Sequence, residues 1–209
     1  MTPLTFWFDP ISPYAWLAFD QLPRTLEGLS YAVEYRPVLF AGLLENWGQK
    51  GPAEIAPKRA WTYRQVAWLA QRQGTVLELP RPHPFNPLAL LRLVLAAGPN
   101  RRSVERVFRH AWCRGGADPN DAAALAALRD DLVLTRDPDG QDIKAELRAA
   151  TAEAAARGIF GVPTIECDGR AFWGQDALPM LRAALDDEPW FAGPAWDDAA
   201  RQPPGLARS

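Results

Sequence analysis

Three short segments of this chain carry residues whose types and spacing suit ligand binding: one an anion or thiolate, one an extended peptide-like backbone, one a charged group. In Phe8-Asp9-Pro10-Ile11-Ser12-Pro13-Tyr14, a serine and a proline stand where a helix begins. Serine as N-cap and proline at the first helical position make a favoured opening. The orphaned backbone N–H groups there, with the helix dipole, attract anions and favour a thiolate over a thiol. In Gly161-Val162-Pro163-Thr164, a proline opens a strand after a glycine-bearing loop. A cis bond before Pro163 would expose the Val162 N–H and C=O to an extended, peptide-like ligand. In Trp173-Gly174-Gln175-Asp176, a glycine precedes a helix start beside an amide and an acid. Such a segment offers a carboxylate to an α-ammonium and backbone N–H groups to an α-carboxylate. Each segment also has a plain structural reading. These are an N-cap serine, an ordinary trans proline, and an acid stabilising a helix dipole by roughly 0.3 kcal/mol or more.

The hydrophobic pattern dictates the elements that must position these segments. Residues 4–8 are short and aromatic-rich, as a strand is. Tyr14, Leu17, Ala18 and Leu22 recur at helical spacing, and Pro23 is expected to kink or end that helix. Residues 31–38 alternate and predict a second strand, so the chain opens on a βαβ unit. From about residue 54 to 157 the period is helical, with segments at 58–74, 86–97, 104–112, 120–129 and 141–157. Residues 162–167 and 170–173 then flank Asp168-Gly169, a two-residue hairpin signal. Residues 175–185 form a closing helix with Pro179 in its first turn, and residues 189–209 read as an irregular tail. The two ends combine into one four-stranded mixed sheet with flanking helices, and the helical block is an insertion into it.

Composition removes several function classes. The 209 residues, 48% hydrophobic, suffice for one large domain or a small one carrying an insertion. A net charge of -2 leaves no strongly basic balance for neutralising nucleic-acid phosphates. No apolar run approaches the roughly 18 residues of a membrane span. Residues 1–5 lack a basic and apolar leader pattern, so secretion is not expected and a cytoplasmic location is. Cys113 and Cys167 are too far apart for a disulfide framework or a Cys-x-x-Cys metal site. His83 and His110 are too few and too separated for a metal cluster, so no metal is expected.

In this order the three segments resemble the thioredoxin-like superfamily, in the branch with a helical insertion between its βαβ and ββα halves. Phe-Asp-x-x-Ser-Pro-Tyr, Gly-Val-Pro-Thr and Trp-Gly-Gln-Asp together resemble the 2-hydroxychromene-2-carboxylate isomerases, up to about residue 188. That family is related to kappa-class glutathione transferases and DsbA-type oxidoreductases. The resemblance implies an α/β fold, a thioredoxin-like four-stranded mixed sheet with a large all-helical insertion of the DsbA/kappa-class type. Residues 1–40 and 158–188 would form the discontinuous thioredoxin-like domain and 41–157 the insertion.

The same resemblance implies glutathione as cofactor. Ser12 stands where redox relatives keep a nucleophilic cysteine, and so would hold the glutathione sulfur by a hydrogen bond. Val162, before Pro163, would pair with the backbone of the glutathione cysteine. Trp173, Gly174, Gln175 and Asp176 would hold the γ-glutamyl end, and Lys58 the glycyl carboxylate. Asn86, in Pro84-Phe85-Asn86-Pro87, matches a family asparagine lining the substrate pocket, and Lys50 is a candidate for the substrate carboxylate. Two departures stand out. The family often has an asparagine where this chain has Ala53 or Glu54, and Glu54 would repel a carboxylate; the Phe-Pro-x-Asn register is also shifted at Asn86. His83 is open between a general acid or base and a structural loop residue. Cys113 and Cys167 read as buried small residues.

The implied reaction is glutathione-dependent isomerisation of 2-hydroxychromene-2-carboxylate to trans-o-hydroxybenzylidenepyruvate, a step of naphthalene-type aromatic catabolism. Thiolate addition, bond rotation and elimination would accomplish it without consuming glutathione. Trp47, Trp61, Trp68 and Phe85 would wall a pocket for the aryl ring, the alternative being that they are core. The other readings are a kappa-like transferase acting on another electrophile and a non-catalytic glutathione-binding module. Expected partners are glutathione, a small aromatic substrate and a second copy in a homodimer, with no nucleic acid and no membrane.

Overall fold

The computed structural model of the chain describes residues 1–201 and Gly205. Its sheet is built on β1 (Thr2–Phe8), which pairs in parallel with β2 (Tyr31–Pro37). On its other side β1 runs antiparallel to β3 (Thr164–Cys167), and β3 antiparallel to β4 (Arg170–Trp173), giving the order β2-β1-β3-β4. A strand covered on both faces must be apolar on both. Leu4, Phe6 and Phe8 accordingly enter one core, while Trp7 enters a second beneath the opposite face. The β3–β4 turn places Asp168 at φ 49° and Gly169 at φ 75°, the left-handed pair that a two-residue hairpin requires.

The first core is closed by α1 (Pro13–Thr25), α5 (Arg101–Trp112) and α8 (Leu178–Leu185). Phe108 of α5 lies 5.4 Å from Phe8 and 5.3 Å from Phe19 between ring centroids, so the insertion and the sheet share one core. The second face is covered by α2 (Phe40–Asn46) and α7 (Gln141–Ala156), through Leu43, Ala150 and Ala154. Between them in sequence come a 3₁₀ turn (Pro52–Glu54), α3 (Ala56–Gln73), α4 (Leu88–Ala97) and α6 (Ala122–Asp131).

Pro23 does not break α1, which runs on to Thr25. Proline deprives the carbonyl four residues earlier of its partner. That carbonyl, on Phe19, instead accepts a hydrogen bond from Arg101 Nη1 at 3.0 Å. The same guanidinium lies 3.9 Å from the Phe19 ring centroid, so α5 repairs the gap in α1 by a hydrogen bond and a cation–π contact.

The tail corrects the expectation of irregular structure from residue 189. Pro189–Ala192 and Ala195–Ala200 form two short helices, α9 and α10. Phe191 and Trp196 pack against Phe172 of β4 at 6.2 and 5.6 Å, and Arg170 Nη2 donates to the Phe191 carbonyl at 2.7 Å. Three aromatics within seven residues carry enough apolar area to order a segment that its Pro, Ala and Asp content alone would leave loose. The remaining tail residues expected to be irregular, 202–204 and 206–209, lie outside the described residues.

Candidate active site

Ser12 is the N-cap of α1, 7% exposed, with extended backbone angles. Its Oγ accepts from the Ala15 N–H at 3.2 Å and donates to the Val162 carbonyl, also at 3.2 Å. Pro13 has no N–H, so the Tyr14 N–H is the first-turn donor that no described protein group takes up. The Val162–Pro163 bond is cis, and the Pro163 carbonyl accepts from the Gly174 N–H at 2.9 Å. Thus two of the three sequence segments meet at Ser12, and the third is tied to them through Pro163.

Gly174 has φ 97°, a left-handed value suited to glycine, and begins the 3₁₀ turn Gln175–Ala177 ahead of α8. The Asp176 carboxylate folds back over Gly174. Asp176 also neighbours Tyr14. Burial pushes the Tyr14 hydroxyl above its usual range, the Thr62 side chain opposes that, and the Asp176 charge adds to the rise. Tyr14 in turn donates to Gln65 Oε1 on α3 at 2.7 Å. Lys58, Thr62 and Gln65 recur at helical spacing, so the face of α3 that meets Tyr14 also carries Lys58 in its first turn. No hydrogen bond or ion pair joins Lys58 to the Ser12 group among the described residues.

Glu54, which sequence alone sets against a bound carboxylate, is occupied locally. Its Oε1 accepts from the Gly51 N–H at 2.5 Å and so caps its own 3₁₀ turn. Lys50 lies exposed in the loop before that turn. Asn86 has a local task as well, its Oδ1 accepting from the Leu88 N–H at 3.0 Å at the start of α4. Trp47, Trp61 and Trp68 are 44%, 62% and 58% exposed rather than core, whereas Phe85 is buried against Trp112. Trp173 is also exposed and meets Phe160 edge-on at 4.8 Å, directly beside the Gly161–Pro163 loop.

The loop entering Ser12 has its backbone held by the insertion. Trp112 Nε1 donates to the Pro10 carbonyl and His83 Nε2 to the Ile11 carbonyl, both at 2.9 Å. A carbonyl accepts only, so His83 carries its proton on Nε2, and the Tyr63 hydroxyl donates back to His83, its oxygen lying 2.9 Å from Nδ1 and 3.0 Å from the His83 carbonyl oxygen. Burial lowers the His83 pKa, the bond to Ile11 opposing that shift, and the ring stays neutral at pH 7. His83 therefore positions the loop. Asp9, fully buried, completes it: its two carboxylate oxygens accept from the Ile11 and Phe40 N–H groups, both at 2.9 Å. Burial raises the Asp9 carboxyl to about 7, with those two hydrogen bonds acting in the opposite direction.

Tyr14, Gln65, Tyr63 and Trp112 are absent from the residues that sequence alone nominates. Thr62 and Gln65 had a usable signal, since they stand four and seven residues after Lys58 on one helical face. Trp112 and Tyr63 had none, because their partners are 102 and 20 residues away in sequence.

Residues 3–186 match the DSBA-like thioredoxin domain. The chain is 28% identical to 2-hydroxychromene-2-carboxylate isomerase of Sphingobium xenophagum, over 88% of this chain and 98% of that one. It is 26% identical to glutathione S-transferase kappa 1 of Rattus norvegicus, over 90% and 92%. Among solved structures it superposes on a 2-hydroxychromene-2-carboxylate isomerase with a TM-score of 0.78 at 21% identity, covering 96% of this chain and 100% of that one. It also superposes on the cytosolic disulfide reductase DsbM from Pseudomonas aeruginosa with GSH, at a TM-score of 0.58 and 16% identity, over 96% and 100%. With its thioredoxin-like sheet, helical insertion and cis-proline loop facing an α1 N-terminus, the chain belongs to the DSBA-like thioredoxin-domain family.

Proposed function

We propose that this protein is a glutathione-dependent isomerase that converts 2-hydroxychromene-2-carboxylate to trans-o-hydroxybenzylidenepyruvate. The observation that carries the reading is a hydroxyl, not a thiol, at the α1 N-cap facing the cis-proline loop: Ser12 Oγ and the Val162 carbonyl are 3.2 Å apart. A site of this kind with no cysteine must receive its thiol from a ligand. Relatives bearing isomerase and glutathione transferase names, at 28% and 26% identity, support an enzyme that uses glutathione.

The residues fit glutathione. The Tyr14 N–H and the Ser12 hydroxyl suit its sulfur, the Val162 backbone its cysteine, Trp173 to Asp176 its γ-glutamyl end, and Lys58 its glycyl carboxylate. When bound, glutathione supplies a thiolate that adds reversibly to the conjugated alkene of the ring-opened substrate, letting the former double bond rotate before elimination restores it. Ser12 turns its proton from the Val162 carbonyl toward the sulfur and, with the α1 N-terminus, favours the thiolate. Asp176 pairs with the ligand's ammonium. Lys50 and Asn86 are assigned to the substrate, Lys50 to its carboxylate. A cytoplasmic setting follows from the need for a reduced thiol pool.

The reading includes a homodimer that buries Trp61 and Trp68, exposed seven residues apart on α3. A monomeric wild type in light-scattering measurements removes that part. The main test follows the absorbance of substrate and trans isomer with and without glutathione. Turnover that requires glutathione and collapses in Ser12→Ala supports the proposal. Accumulating conjugate would instead establish the kappa-like transferase, the reading favoured by the similarity to kappa enzymes.

A further inference from the structure

A cavity of about 410 Å³ lies between α2, α4 and α7 and shares no residue with the Ser12 site. That size is within the range of small-molecule sites. Leu39, Leu88 and Leu147 give it apolar walls, and Arg92, Lys144 and Arg148 line it as well. No Asp or Glu does.

Among the described residues the three cations are uncompensated, and none of them forms an ion pair. The acids of α7 are engaged elsewhere: Glu146 and Asp142 with Arg136 at 2.5 and 3.9 Å, and Glu153 with Arg36. Lys144 and Arg148 stand four residues apart on one helical face, where like charges repel unless an anion lies between them. Arg92 contributes a further signal, because its Nε is buried without a hydrogen-bond partner among the described residues. A buried, unpartnered donor on a charged group is costly, and an incoming acceptor relieves that cost. The walls are also held in place. The Leu39 N–H donates to Thr151 Oγ1 at 3.0 Å, and a Cβ at Gly42 would stand 3.0 Å from Thr151 Cγ2, so α2 rests directly on α7.

We propose that this groove is a second ligand site, which binds a compact aryl carboxylate. The carboxylate is held by Arg92, Lys144 and Arg148, and the ring lies on the three leucines. Nothing in this assignment depends on the reaction at Ser12.

Titration calorimetry with 2-naphthoate tests it, on the full chain with and without saturating glutathione. Saturable binding is expected in both conditions and in Ser12→Ala. Affinity should fall at least about tenfold for the Arg92→Gln/Arg148→Gln variant, and by a similar factor when neutral 2-naphthamide replaces the acid. If loss of Arg92 impairs folding, Lys144→Gln/Arg148→Gln serves instead, since Arg148 is exposed and Lys144 only half-buried. Absence of saturable binding overturns the proposal. So does equal binding of the amide, or naphthoate binding that the arginine variants leave unaffected, which would place it in the Ser12 cleft whether or not glutathione displaces it.

Discussion

Ser12 makes two hydrogen bonds within the protein, and the proposed chemistry asks it for a third partner. Replacing it by alanine removes one charge-assisted donor to the thiolate, so kcat/KM should drop roughly 10- to 100-fold. Loss of the cap should cost only about 1 kcal/mol of stability, which thermal unfolding checks. Asp9 offers a separate test. Its carboxyl rises from 3.8 to about 7 because burial disfavours the charge. The folded chain therefore holds that proton more tightly than the unfolded chain does. The resulting stabilisation is full below 3.8 and is lost as pH rises through about 7. His83 and His110, both lowered by burial, act in the opposite sense, losing stabilisation as pH falls. The Asp9 share is thus the difference between wild type and Asp9→Asn. That difference should favour wild type more at about pH 5 than at about pH 8 in denaturant unfolding.

At the scale of elements, close approach decides what the loops tolerate. A Cβ at Gly161 would fall 2.6 Å from Trp173 Nε1. Trp173 is 55% exposed and free to swing away, so Gly161→Ala should leave stability nearly unchanged while displacing a wall of the proposed glutathione site. A rise in the glutathione Kd at constant unfolding midpoint is the expected result. The Arg101 repair of α1 makes the opposite prediction. Arg101→Met removes the donor to the Phe19 carbonyl and the cation over its ring, and should destabilise by about 1–3 kcal/mol. It should do so far less in a Pro23→Ala background, where the Phe19 carbonyl regains its helical partner.

At the scale of the whole molecule, the insertion is joined to the sheet at two levels. Phe108 enters the same core as Phe6, Phe8 and Phe19, and Trp112 and His83 hold the backbone of the loop before Ser12. The site's entry loop is thus set by residues about 70 to 100 positions further along the chain, which non-local packing alone brings near. The tail is bound to β4, with Phe191 only 4% exposed against Phe172. Truncation after residue 188 should therefore lower stability by about 2–4 kcal/mol, read from chemical unfolding, without altering the Ser12 geometry.

Local rules carried much of the outcome. The four strands, the Ser12 cap, the Asp168-Gly169 hairpin and the helices of the insertion from α3 to α7 are legible in the sequence, because period, capping and turn chemistry act over a few residues. The short α2 is not, and the residues around Pro163 leave its bond open between cis and trans. The motif order of Ser12, Pro163 and Asp176 likewise pointed to the family. What only the tertiary structure decided lies in contacts between residues distant in sequence. It gave His83 a carbonyl to hold, returned Glu54 to its own turn, ordered the tail through Phe191 and Trp196, and left Arg92 Nε without a partner among the described residues. Hydrogen-bond partners and burial are properties of packed neighbours, and a linear pattern specifies which face a side chain occupies without specifying what it will meet there.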